Sequence, residues 1–192
     1  TSDEGRGPFY KCSALNTIVF EEDITNITPG LFAGCTGLRE ITIPDTVTSI
    51  GGLAFYNCTK LTKVELPKSL TYIGSSSFAN CPILSDIKLP ENLTSIDWNA
   101  FENCTSLTDI AFPDSLTSIS SYAFNNCTGL TDITLPKKLE TIKYNAFGNC
   151  TNLQKVFIPK SLKYDGYTSD EGRGPFYKCS ALNTIVFEED IT

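Results

Sequence analysis

The chain has 192 residues, 41% of them hydrophobic and 19% charged, with 15 basic against 22 acidic side chains and a formal net charge of -7. No run of roughly 18 or more apolar residues occurs, so membrane insertion is not expected, and basic residues scattered over an acidic chain argue against nucleic acid as a partner. The opening Thr1 to Pro8 has neither a basic stretch nor an apolar core, so no signal peptide is expected within this sequence.

The chain opens on TSDEGRGPFYKCSALNTIVFEEDIT, Thr1 to Thr25, and the same 25 letters return at Thr168 to Thr192. Cys12, Cys35, Cys58, Cys81, Cys104, Cys127 and Cys150 follow one another at intervals of 23 residues, and Cys179 comes after 29. A phenylalanine stands three residues before each, at Phe9, Phe32, Phe55, Phe78, Phe101, Phe124, Phe147 and Phe176. The unit F-x-x-C in one phase along residues 1–192 predicts an array of about seven to eight coils in a single domain.

Within the unit from Cys127 to Cys150, Leu130, Ile133 and Leu135 read L-x-x-I-x-L, and the alternation of the last two predicts a short strand with one buried face. Pro136 ends it, because proline offers no amide hydrogen to a ladder. Leu139, Ile142, Ala146 and Phe147 return at spacings too irregular for one long helix, which predicts a turning segment of helical or 3-10 character. Leu15, Leu38, Leu61, Leu84, Leu107, Leu130, Leu153 and Leu182 form one inward column, and Ile50, Ile73, Ile96, Ile119 and Ile142 another. No single coil can bury its apolar face alone, so the coils must stack as a curved solenoid with a parallel sheet whose rungs lie about 4.8 Å apart.

The run from Leu38 through Ile-Pro, Ile50-Gly and Ala54-Phe55 to Cys58 resembles, almost letter for letter, the leucine-rich repeat of the BspA-like or treponemal type, and the likeness recurs in register along the chain. That resemblance implies a leucine-rich-repeat horseshoe, with the parallel sheet on its concave face and short helical, 3-10 or irregular segments on its convex side. It also implies a surface or secreted adhesion protein whose partner is a protein ligand, such as a host matrix or cell-surface protein. Repeat scaffolds serve many binding tasks, so the fold alone does not select one.

The coil from Cys150 to Cys179 carries six extra residues within 163–175, where glycines and a proline predict a surface loop. Cys12 to Cys179 are read as a ladder of buried free thiols. Equivalent side chains on neighbouring coils point the same way, which does not suit a disulfide, and neither a close cysteine pair nor any histidine is present to bind zinc. Without histidine there is no Ser-His or Cys-His pair, and no glycine-rich phosphate loop occurs, so neither catalysis nor a cofactor is expected.

Binding is expected on the outward side chains of the sheet: Arg39, Glu40, Lys63, Glu65, Asp86, Lys88, Asp109, Asp132, Lys155 and Phe157. Asp86, Asp109 and Asp132 are predicted on three consecutive rungs about 5 Å apart, within reach of a shared cation, although a solvated and partly neutralised face is the preferred reading. Phe157 is the candidate anchor on this polar face. Trp98, with Tyr144 in the same phase, is expected to pack at the edge of the turning segment. Asn57, Asn103, Asn126 and Asn149 each open an N-C-T sequon, but an asparagine bonding the turning backbone explains their recurrence without glycans.

The two identical ends are offset by 167 residues, seven units of 23 plus the six-residue insertion. One explanation is a longer array with a 167-residue super-repeat. The other is a recent or engineered duplication whose uncapped ends join copies head to tail, a heterologous contact that propagates unless it closes as a ring. The expected function is therefore a non-catalytic binding scaffold, with a self-assembling scaffold as the alternative.

Overall fold

The computed structural model describes residues 7–21, 23–163 and 173–188. Most of the predicted loop at 163–175 lies outside them.

Each coil contributes short strands that pair in parallel with the equivalent residues of the next coil. One ladder is six-stranded: β1 (Asn26–Ile27), β3 (Ser49–Ile50), β5 (Tyr72–Ile73), β7 (Ser95–Ile96), β8 (Ser118–Ile119) and β10 (Thr141–Ile142). The L-x-x-I-x-L segments form the second line in two groups. The first is β2 (Glu40–Thr42), β4 (Lys63–Glu65) and β6 (Asp86–Ile87); the other is β9 (Asp132–Thr134), β11 (Lys155–Ile158) and β12 (Thr184–Phe187). The isoleucine column expected in a helical turn thus forms a ladder of its own, with Ile27, Ile50, Ile73, Ile96 and Ile119 facing inward. Among the described residues the F-x-x-C half of each coil consists of turns, without a helix.

Those turns are also tied coil to coil. Phe55 N donates to Ser77 O at 2.7 Å, Phe78 N to Ala100 O at 2.8 Å and Phe101 N to Ala123 O at 2.7 Å. The backbone's hydrogen bonds therefore run mainly along the stack, which a helix would have spent within itself. Turning so tightly requires left-handed backbone twice per coil. One position is held by Leu53, Ser76, Asn99, Tyr122 and Asn145; the other lies just before the cysteine, at Asn57, Asn80, Asn103, Asn126 and Asn149, all with φ between 53° and 61°. Asparagine tolerates this region better than most residues. Its amide then links the coils: Asn103 Nδ2 donates to Asn80 Oδ1 at 2.6 Å and Asn126 Nδ2 to Asn103 Oδ1 at 2.8 Å. The N-C-T sequence is thus explained by backbone conformation and a side-chain ladder, rather than by the side-chain-to-backbone bond expected.

The core is a set of columns. Phe32, Phe55, Phe78, Phe101, Phe124 and Phe147 are buried, and consecutive rings stack with centroids 5.1 to 5.5 Å apart. Leu38, Leu61, Leu84, Leu107, Leu130 and Leu153 are fully buried beside them. Replacing one ring exposes both neighbours to a void, so Phe101→Ala should lower unfolding free energy by about 3–5 kcal/mol. Denaturant unfolding of the folded variant measures this, and a loss under about 1 kcal/mol would show that the column does not hold the stack.

Candidate binding face

On the sheet face, strand alternation sends Ile41, Val64, Ile87, Ile133 and Val156 inward and leaves their neighbours in solvent. Glu40 stands opposite Lys63, and Lys63 opposite Asp86; Lys155 stands opposite Asp132. Opposite charges on adjacent rungs relieve the repulsion that a carboxylate column would suffer. Lys63 Nζ also reaches Glu65 Oε1 on its own strand at 2.7 Å, and Thr42 Oγ1 donates to Glu65 Oε2 at 2.8 Å. The bond from Lys63, then that from Thr42, holds the Glu65 carboxyl below its ordinary pKa, while Glu65 raises Lys63. Both groups are solvated, so this pairing sets local charge rather than stability. Arg39, just before β2, and Lys88, just after β6, are exposed. Phe157 is 36% exposed, and Lys155 Nζ lies 4.5 Å from its ring centroid.

The expected run of three aspartates on consecutive paired rungs is interrupted. Asp86 lies in β6 and Asp132 in β9, but residues 108–112 between them form no strand, and the sheet face divides there. Phe112 of this coil stands where the two adjacent coils carry Leu89 and Leu135. Its ring meets Phe124 edge-on at 5.5 Å and Phe147 at 6.1 Å, filling a slot otherwise sized for leucine. Asp109 and Asp132 border a cleft of about 420 Å³ that Ala111 and Phe112 also line. Among the described residues no group of three or more carboxylate, histidine or cysteine side chains is arranged to hold a metal ion.

Seven thiols are buried and each points at the preceding coil: Cys81 Sγ donates to Phe55 O at 3.3 Å and Cys104 Sγ to Phe78 O at 3.2 Å, with the same bond repeated from Cys35 to Cys179. Cysteine is small enough for the core and still supplies a second donor to a carbonyl that the turn itself already uses, as Phe55 O accepts from Cys58 N at 3.3 Å as well as from Cys81 Sγ. Burial pushes the Cys58, Cys81, Cys104 and Cys127 thiols well above their ordinary pKa, which removes the nucleophilic thiolate. Cys12 departs from the expected buried ladder. It is exposed, because among the described residues no coil covers its other side.

Trp98 is half exposed and packs edge-on against Tyr144, as its phase suggested. The third ring of that cluster, Tyr122, and the bond from Tyr72 Oη to Asp97 Oδ2 at 2.6 Å were not foreseen. The available signal was a tyrosine interrupting the column Ser49, Tyr72, Ser95, Ser118, Thr141.

These stacked parallel rungs, with inward leucines at a fixed phase, define a leucine-rich-repeat solenoid. The chain belongs to the BspA-type leucine-rich repeat family, whose model matches residues 5–113 and 94–192 in six copies. It is similar to the crystal structure of a leucine-rich repeat protein of T. pallidum, at 32% identity and a TM-score of 0.72, over 84% of this chain and 73% of that one. A leucine-rich repeat protein from Bacteroides ovatus is similar at 28% identity and a TM-score of 0.64, over 94% of this chain and 57% of the other. No match is found among curated proteins.

Thiol chemistry tests the core assignment directly. A soluble thiol reagent should modify Cys12 rapidly in the folded chain and reach all eight cysteines only after unfolding. Peptide mapping of the labelled sites reads this, and rapid native labelling of Cys81 or Cys104 would contradict their burial.

Proposed function

We propose that the chain is a non-catalytic protein-binding module of a surface or secreted BspA-type protein, and that it holds its ligand on the concave sheet face between Arg39 and Phe157. The observation that carries this reading is the division of labour along each strand. Inward positions are apolar and repeat from coil to coil, whereas outward ones differ and carry Glu40, Lys63, Asp86 and Lys88 on one group of strands and Asp132 and Lys155 on the other. Such a surface offers charge complementarity and one aromatic contact, the ingredients of recognition without chemistry. Family membership supports a scaffold role. Replacing Lys155→Glu together with Phe157→Asp should weaken binding to an immobilised extracellular-matrix protein about tenfold or more while leaving the circular dichroism spectrum unchanged. Unchanged affinity would remove the concave face from the binding surface.

A second reading, self-association through equivalent coils, is favoured by one specific observation. The letters of 7–21 and 174–188 are identical, yet the two copies use opposite faces. Phe9 stacks on Phe32 of the following coil at 5.7 Å, whereas Phe176 stacks on Phe147 of the preceding coil at 5.7 Å. One sequence can therefore dock a neighbour on either side, and Ile185 and Phe187 are exposed on the described C-terminal coil. Light scattering over a wide concentration range, comparing the chain with one beginning at Asn26, should show growth in mass for the longer chain alone. A constant monomer mass for both would reject this reading.

A further inference from the structure

Away from the concave face, three aromatic side chains gather where neighbouring coils carry small or polar ones. Trp98 and Tyr144 share a phase with Gly52, Ser75 and Ser121. The intervening Ser121 is 1% exposed and leaves the space over which the two large rings meet, with centroids 6.4 Å apart at 80°. Tyr122 approaches Tyr144 at 5.4 Å and 86°. Tyr144 thus meets both other rings edge to face, and half of Trp98 lies in solvent.

Tyr122 is an unexpected residue for its place. Its φ is 58°, at a position that two other coils give to asparagine, and a bulky side chain is poorly suited to left-handed backbone. Such strain persists where surrounding contacts impose it, and here the ring that it places completes the aromatic cluster.

The acidic groups of these coils are already bonded to neutral donors. Asp97 accepts from Tyr72 Oη at 2.6 Å and from the Trp98 amide at 2.7 Å. Burial, then the bond to Asp97, pushes the Tyr72 hydroxyl up to about 12, so it remains a donor to Asp97. Glu102 accepts from Asn99 Nδ2 at 2.6 Å and from Asn125 Nδ2 at 2.9 Å. Among the described residues neither carboxylate forms an ion pair; Lys143, in the phase of Asp97 two coils along, has an interaction of its own.

We propose that Trp98, Tyr122 and Tyr144, with Asp97, form a receptor for a basic side chain, arginine above all, presented by a partner protein. Ring faces carry the negative part of the aromatic quadrupole and attract a cation lying within about 6 Å of the centroid. A planar guanidinium stacks on such a face and turns its edge donors towards a carboxylate, which an ammonium does less well. Asp97 receives one donor on each oxygen, Tyr72 Oη on one and the Trp98 amide on the other, and each oxygen can accept a second bond from a guanidinium edge. What remains on offer is negative charge and π surface. This site is separate from the concave face, so either assignment can fail without the other.

Trp98 is the only tryptophan, so its emission, excited selectively over that of the 8 tyrosines, reports this site. The experiment titrates the whole chain with a short arginine-containing peptide and with the same peptide carrying citrulline, the neutral isostere. The arginine peptide should give a saturable change in emission that citrulline does not, weakened about fivefold or more in both Asp97→Asn and Tyr144→Leu. Asp97→Asn retains an acceptor for Tyr72, and circular dichroism confirms that each variant is folded. Equal responses to arginine and citrulline, no saturable response to either peptide, or full binding by folded Asp97→Asn would each overturn the proposal. A response to neutral oligosaccharides without one to arginine would overturn it in favour of a sugar platform.

Discussion

The whole molecule depends on one coil lying in register on the next. A single unit of this length has too little interior to cover its own leucines, and it leaves most of its backbone donors facing along the stack. Both shortages end together when a second coil arrives. Its ring lies over the first ring, as Phe124 does on Phe101 at 5.1 Å, and its carbonyls accept from the first coil's amides, as Ala123 O does from Phe101 N at 2.7 Å. Stability is consequently a property of interfaces between coils rather than of coils themselves.

That constraint dictates where variation is free. Inward positions must match the layer above and below, so Phe, Leu, Ile and Cys return at each turn. Larger side chains are taken up between layers: the ring of Phe112, where adjacent coils carry leucine, packs edge-on against Phe124 and Phe147. Outward positions answer only to solvent and to partners. The concave face and the Trp98 edge are both built from such positions, and both depend on the rigid stack to hold side chains from different coils beside one another.

The buried thiols show the same economy. Cysteine looks reactive in a sequence, yet here its sulfur hydrogen is committed to a carbonyl of the preceding coil and its charged form is suppressed by burial. A residue with chemical potential thus serves as a small apolar filler with one donor.

The sequence by itself determined the architecture. A 23-residue interval with Phe and Cys in constant phase permits only stacking, because nothing else buries every Phe and Leu column at once, and the L-x-x-I-x-L alternation assigned the inner and outer faces of each rung. It also brought Trp98 and Tyr144 into one phase. What it left undecided were matters settled by contacts between coils. The Ile50 column became a ladder rather than a helical turn because its carbonyls find amides on the adjacent coil, as Ile50 O accepts from Gly74 N at 2.9 Å. Asp109 left the paired row at the coil whose Phe112 ring reaches Phe124 and Phe147 on the coils that follow. Tyr122 joined the aromatic cluster through a left-handed backbone that no local pattern announces. Phase along the chain is readable from one unit compared with the next; the fit of unequal side chains between layers exists only once the layers are stacked.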